Sequence, residues 1–313
     1  MPGLSDKRLV FVTGKGGVGK STVAIALGIA AARRGLRTIV AELSGQARAA
    51  ETFGLDPGRV EAGTELALGG GLHAVSIDME HSLEEYLHGR AGRVGDLLAA
   101  SRAFHTFAAA TPGMRELIGI GKVWELAQTP RRFGGEPYDL VIVDAPATGH
   151  ALGALRTPRT FAEIARVGPI AHQSAAVDAT LRDPAQTAVV AVALPEEMPV
   201  TETLMLERRL RSELGLALAH VVANACLPER IGPRQASTVA DALARTRSGG
   251  TSLVRAALEA AGAEHARVVE QREQVARLAD GIGAPPLELP YVLAPALDAE
   301  ALDPLADRLG ALL

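Results

Sequence analysis

The chain has 313 residues, enough for one large α/β domain or two small ones, and 48% hydrophobic with 22% charged residues excludes global disorder. Lys+Arg total 32 against 36 Asp+Glu, a net charge of −4, which excludes a general nucleic-acid coat. A lone cysteine, Cys226, excludes a disulfide framework, and with no apolar leader before the first motif and no run of the ~18 apolar residues a span needs, the chain reads as cytoplasmic.

In chain order, Leu9-Val10-Phe11-Val12 is short, branched and aromatic and runs into a glycine-rich turn, which predicts a buried strand of a parallel sheet. Val23 to Ala30 continues as an apolar helix, closed by the charges and stop glycine of Arg33-Arg34-Gly35. Thr38 to Ala41 is the next strand, completing a strand–helix–strand crossover. Further strands are expected at Leu72–Ile77, at Leu140–Val143 before Asp144, at Ala188–Val192 before Pro195, at Ala219–Ala223 before Asn224, and at Leu287–Leu289 before Pro290. Helical stretches separate most of them, so the expected fold is α/β, one domain over 1–313 with a mostly parallel sheet and helices on both faces.

Between the third and fourth strands lies an insertion, about 80–136, with no clear strand. Tyr86 and Leu87, Leu97 and Leu98, Phe104 and Phe107, then Leu117, Ile118, Val123, Trp124 and Leu126 recur at helical spacing. Either those stripes pack on one another, or part of them faces a protein partner or client. From Leu227 to Asp280 a polar opening leads into a helix rich in Ala, Glu and Arg, with a loop at Thr246–Gly250.

The strongest chemical signal is Gly14-Lys15-Gly16-Gly17-Val18-Gly19-Lys20-Ser21-Thr22, which fits G-x-x-x-x-G-K-[ST] between a strand and a helix. Glycines let backbone N–H groups turn inward around phosphate oxygens, and the helix N-terminus adds positive charge. In such a loop Lys20 meets the β- and γ-phosphates and Ser21 ligates Mg²⁺, so ATP with Mg²⁺ is the expected ligand. The chain has four lysines, and two of them, Lys15 and Lys20, sit in this loop.

The doubled lysine resembles the deviant Walker A group of P-loop ATPases, in which the early lysine reaches the nucleotide of the other subunit of a dimer. Asp144-Ala145-Pro146-Ala147-Thr148-Gly149-His150 is similar to the D-x-x-P-T-G-H switch II of ArsA-like ATPases, and Pro195-Glu196-Glu197-Met198-Pro199-Val200-Thr201-Glu202-Thr203 to that family's PEEMPVTET segment. Pro112-Gly113-Met114-Arg115-Glu116-Leu117 resembles its PGxxE turn, and the matches run from Gly14 to about Pro290. The resemblance implies a P-loop NTPase with a helical insertion, with Lys15, Lys20 and Asp144 catalytic. Ser21 and Asp144 would face Mg²⁺, and Asn224 the adenine. Thr148, Gly149 and His150 would sense the γ-phosphate. Other readings of the same residues are a helix-capping acid at Asp144, a loop-capping amide at Asn224 and a surface histidine at His150. Glu196 and Glu197 read as solvated or structural.

Three departures narrow the expectation. Ser44 stands where the family's switch I carries its water-orienting aspartate, with Glu42 and Gln46 nearby as substitutes or as structural residues. The zinc CxxC and the three-cysteine metalloid site have no counterpart, so neither zinc nor arsenite binding is expected. The tail from Leu297 to Arg308 is acidic, which argues against the membrane anchor of a MinD/ParA-type positioning ATPase. The expected protein is thus an ArsA-like MgATP-binding ATPase with slow or partner-dependent turnover, paired as a homodimer or with a paralogous subunit. The alternative is a nucleotide-gated binding module with little hydrolysis.

Overall fold

The computed structural model describes residues 3–61, 63–78, 81–84, 111, 113–131, 135–165, 169–246 and 252–313. Eight strands form one sheet: β1 (Leu9–Gly14), β2 (Thr38–Glu42), β3 (Leu66–Gly69), β4 (Leu72–Ser76), β5 (Leu140–Ala147), β6 (Thr187–Ala193), β7 (His220–Cys226) and β8 (Leu287–Pro290). Their spatial order is β3-β4-β2-β5-β1-β6-β7-β8, and every pair is parallel except β3–β4.

The helices follow the crossover rule for parallel strands. They are α1 (Lys20–Arg33), α2 (Arg48–Thr52), α3 (Met114–Leu126), α4 (Thr148–Ala165), α5 (Pro169–Arg182), α6 (Glu197–Arg209), α7 (Pro233–Arg245), α8 (Ser252–Ile282) and α9 (Asp303–Leu309). Alternation persists even in fully buried strands, because successive side chains point to opposite faces. Leu9 and Phe11 of β1 join one apolar layer with Val123, Leu155, Leu206 and Leu278, from α3, α4, α6 and α8. Val10 and Val12 join the other, with Ile25 of α1 and Leu305 of α9. Close approach of α1 requires a glycine: a Cβ on Gly28 would lie 2.8 Å from Val40 Cγ2.

The expected strands are all present, and β3 is an addition to them. It is an antiparallel edge strand folded onto β4 through Gly69, Gly70 and Gly71, whose φ angles are 99°, 60° and 88°. Its residues Leu-Ala-Leu-Gly carry little β preference, so only the turn betrays it. Glu65, just before it, binds Arg131 at 2.6 Å, and Arg131 also meets the buried Glu125 at 3.2 Å, so the hairpin is tied to the end of α3.

Within the insertion, α3 turns its stripe inward. Ile120, Val123, Trp124 and Leu126 are buried, and Trp124 Nε1 donates to Thr180 Oγ1 of α5 at 3.0 Å. Tyr86, Leu87, Leu97, Leu98, Phe104, Phe107 and Pro112 lie outside the described residues, as do residues 247–250 of the expected loop. Thr246 continues the last turn of α7, its Oγ1 donating to the Ala242 carbonyl at 2.6 Å. Among the described residues no helix is long and apolar enough to cross a membrane.

Candidate functional site

Because the sheet is parallel, the carboxyl ends of β1, β2, β5, β6 and β7 open onto one edge, beside the point where the strand order reverses at β1. That edge gathers the loop Gly14–Thr22, Glu42 and Ser44, Asp144, Pro195 and Asn224. Two glycines of the loop are dictated by close contacts. A Cβ on Gly14 would come within 2.2 Å of the Val192 carbonyl oxygen, and one on Gly19, at φ 86°, within 2.4 Å of Asn224 Nδ2. Gly16 and Gly17 instead face open space, with nothing within 4 Å of a Cβ on either, and Gly17 is a glycine for its left-handed φ of 84°. The loop is therefore braced from below and bare above, and α1 presents its N-terminus with Gly19 as the unblocked cap.

Lys20 lies partly buried, and its Nζ donates to the Lys15 carbonyl at 3.0 Å, curling over the loop. Ser21 Oγ donates to Asp144 Oδ2 at 2.6 Å. Asp144 is only 3% exposed, and its other oxygen, Oδ1, is buried with no hydrogen-bond partner among the described residues. Burial pushes the Asp144 carboxyl up, with the Ser21 hydrogen bond and the Lys20 charge opposing it. Burial also pulls the Lys20 ammonium down, against the opposing pull of Asp144. A hydroxyl, a carboxylate with a spare oxygen and an open glycine cradle are the donor set of a hard divalent cation shared with phosphate oxygens. ATP and Mg²⁺ fit the residues present.

Asn224 sits beneath the loop, and its Nδ2 donates to the Val18 carbonyl at 2.9 Å. The residue after it, Ala225, is a non-glycine in the left-handed region at φ 58°, a conformation costing about 1 kcal/mol. Lys15 folds back on its own chain, its Nζ 3.3 Å from Glu202 Oε1 and 3.6 Å from the Met198 sulfur on α6. Glu196 and Glu197 are exposed, as expected of solvated residues. Thr148, Gly149 and His150 open α4 directly after β5, with Gly149 and His150 exposed. Beside the loop tip, Lys15–Val18, Leu194–Pro199 and Arg267, Glu270 and Gln271 of α8 line a cavity of about 530 Å³.

In the stretch from Ala41 to Arg48, Ser44 and Gln46 are exposed, and Gln46 Oε1 accepts from Arg48 Nε at 2.8 Å. Glu42 is only 1% exposed, and its Oε1 accepts from the backbone N–H groups of Arg48 at 2.7 Å and Ala49 at 3.2 Å. It caps α2, whose own N-cap is Ala47, a residue with no capping side chain. The structural reading of Glu42 is the one its contacts support.

Burial, with Asp144 directly across on β5, lifts the Glu42 carboxyl to about 7, while its two N–H partners oppose the lift. The folded-state value exceeds the unfolded one, so Glu42 favours folding while protonated and loses that contribution as pH rises from about 4.5 to about 7. That range corresponds to about 3 kcal/mol. Glu42→Gln keeps the accepting oxygen, so its stability should lack this decline, which denaturant titrations at pH 5 and pH 8 would measure.

Similarity to known proteins agrees with this geometry. The family profile described as anion-transporting ATPase matches residues 7–167 and 162–241. ATPase BagA of Mycobacterium tuberculosis is 31% identical over 309 residues, spanning 92% of this chain and 88% of its own. Protein Rv2184c of the same organism is 30% identical over 77% of this chain and 56% of its own. ATPase GET3 of Kluyveromyces lactis is 30% identical over 55% of this chain and 53% of its own. With a family profile that matches most of the chain and this breadth of similarity, the chain belongs to the ArsA family of anion-transporting ATPases.

Proposed function

We propose that this chain binds MgATP over Gly14–Thr22 and hydrolyses it slowly to ADP and phosphate, using the nucleotide to switch a dimer between two states. The carrying observation is Asp144: a buried carboxylate 2.6 Å from Ser21 Oγ whose other oxygen has no partner among the described residues, a costly arrangement unless a cation completes it. Mg²⁺ supplies charge neutralisation across the phosphates when bound. Ser21 and Asp144 hold it, the amides of Gly16 to Gly19 wrap phosphate oxygens, and Lys20 releases the Lys15 carbonyl to meet the terminal phosphates. Thr148, Gly149 and His150 follow Asp144 after only three residues at the end of β5, so a change at the phosphate reaches α4 through one strand end. Asn224 meets the adenine with the oxygen of the amide whose nitrogen braces Val18.

Lys15 acts on the nucleotide of a second subunit, either another copy or a paralogue, and leaves Glu202 to do so. The insertion around 80–136 is the surface for a protein client, and the setting is cytoplasmic. Slow turnover follows from switch I: Ser44 is a hydroxyl where an acid would orient water, and Glu42 is committed to capping α2. The same observation favours a second reading, a nucleotide-gated binding module in which ATP holds one state with little hydrolysis.

Calorimetry with MgATP, turnover under saturating ATP and solution mass with and without nucleotide form the test. Measurable affinity, turnover below about 1 s⁻¹ and a doubled mass in ATP, alone or with the paralogue, are expected. Absence of any adenine-nucleotide affinity would overturn both readings, and bound ATP that survives for hours would leave only the second.

A further inference from the structure

The contacts of Gln271, two-thirds of the way along α8, extend the nucleotide site to a helix that the phosphate-loop motif does not include. Its side-chain amide is used at both ends. Oε1 accepts from the Leu227 N–H at 2.8 Å, and Nε2 donates to the Ala225 carbonyl at 3.4 Å. These groups flank Cys226 and enclose the turn where β7 departs from regular pairing with β8, between Ala223 and Cys226. Ala225 holds φ 58° there, which an alanine adopts only where its surroundings impose it. One residue earlier, Asn224 braces the Val18 carbonyl and abuts Gly19, so the turn at Ala225 decides where that amide stands.

We propose that Gln271 is a positioning residue of the nucleotide site. By clamping Ala225 and Leu227 it imposes the left-handed turn, the turn keeps Asn224 under Val18 and Gly19, and α8 thereby sets the shape of the phosphate loop. The assignment rests on the MgATP reading above. It predicts a particular suppressor. Glycine adopts the left-handed turn unaided, so Ala225→Gly removes the need for the clamp.

Calorimetric MgATP titration of the full chain tests this on the parent, Gln271→Leu, Ala225→Gly and the double variant, with thermal melting of each. Losing both hydrogen bonds should weaken MgATP about 10-fold in Gln271→Leu, and adding Ala225→Gly should return affinity to within about 3-fold of the parent. Parent-like affinity in Gln271→Leu overturns the proposal. So does a double variant as weak as the single one, because a purely structural glutamine would lower the melting temperature without being suppressed at Ala225. Should Gln271→Leu fail to fold, Gln271→Glu carries the same test. It keeps the acceptor for Leu227 but sets a carboxylate against the Ala225 carbonyl, and parent-like affinity there is equally fatal. A parent that binds no MgATP defeats the nucleotide reading itself, whereas a parent that binds beside an unaffected Gln271→Leu defeats this assignment alone.

Discussion

Lys20→Ala should lower MgATP affinity by about 10- to 100-fold and turnover by about 10²- to 10³-fold. The loss has two parts. One is a charge-assisted contact to the terminal phosphates, stronger than a neutral hydrogen bond because the site is partly buried. The other is charge stabilisation at the moment of transfer, which alanine cannot supply. Lys20→Arg should rescue little, because a planar fork does not fit where a compact ammonium curls 3.0 Å from the Lys15 carbonyl. Folding should survive the change. Burial already penalises the Lys20 ammonium, so removing it costs the empty protein little, although Asp144 then loses a compensating charge. A melting curve near the parent's beside MgATP affinity weakened about 10- to 100-fold is the expected pair of results, and parent-like binding by Lys20→Ala would end the nucleotide reading.

Asp144→Asn should move stability and activity in opposite directions. Asp144 carries a carboxyl raised by burial, so the folded chain holds its proton more tightly than the unfolded chain does. Its contribution to stability is full below the ordinary Asp range of about 3.8 and is lost as pH rises through the raised value. Asparagine carries no such charge and can still accept from Ser21. In the absence of nucleotide and metal, the variant should therefore melt no lower than the parent at pH 8. Its Mg²⁺-dependent turnover should fall by about 10²- to 10³-fold, since a neutral amide is a poor ligand for a hard dication. Thermal melts with and without MgATP separate the two effects: the parent gains stability from the ligand by mass action, and the variant gains little. A variant that keeps the full gain would remove Asp144 from the metal site.

The strands and the phosphate loop are legible in the sequence because their signals are local. Leu9–Val12 is apolar throughout, and the glycines and lysines that follow are contiguous in the chain. What escapes is set by residues distant in sequence. Glu42 reads equally as a catalytic acid or a structural one until its contacts with the amides of Arg48 and Ala49 are seen. A retrospective clue is present, since α2 begins after an alanine and so needs its cap from elsewhere. The Lys15–Glu202 ion pair joins two recognisable motifs, yet nothing in either predicts that they touch. Gln271 belongs to no motif, because its partners are backbone groups more than forty positions away. Strand β3 is hidden for a different reason: its side chains carry almost no preference, and its pairing depends on three successive glycines.

One consequence concerns leverage. Nineteen residues of unbroken helix separate Gln271 from the start of α8 at Ser252, a rod of about 28 Å. Pivoting such a rod by about 10° at Gln271 would sweep its outer tip through about 5 Å, a displacement on the scale of one helical turn. A sub-ångström rearrangement beneath the glycine cradle would thus arrive at the molecular periphery magnified several-fold, and pressure on that tip would be felt, demagnified, at the cradle.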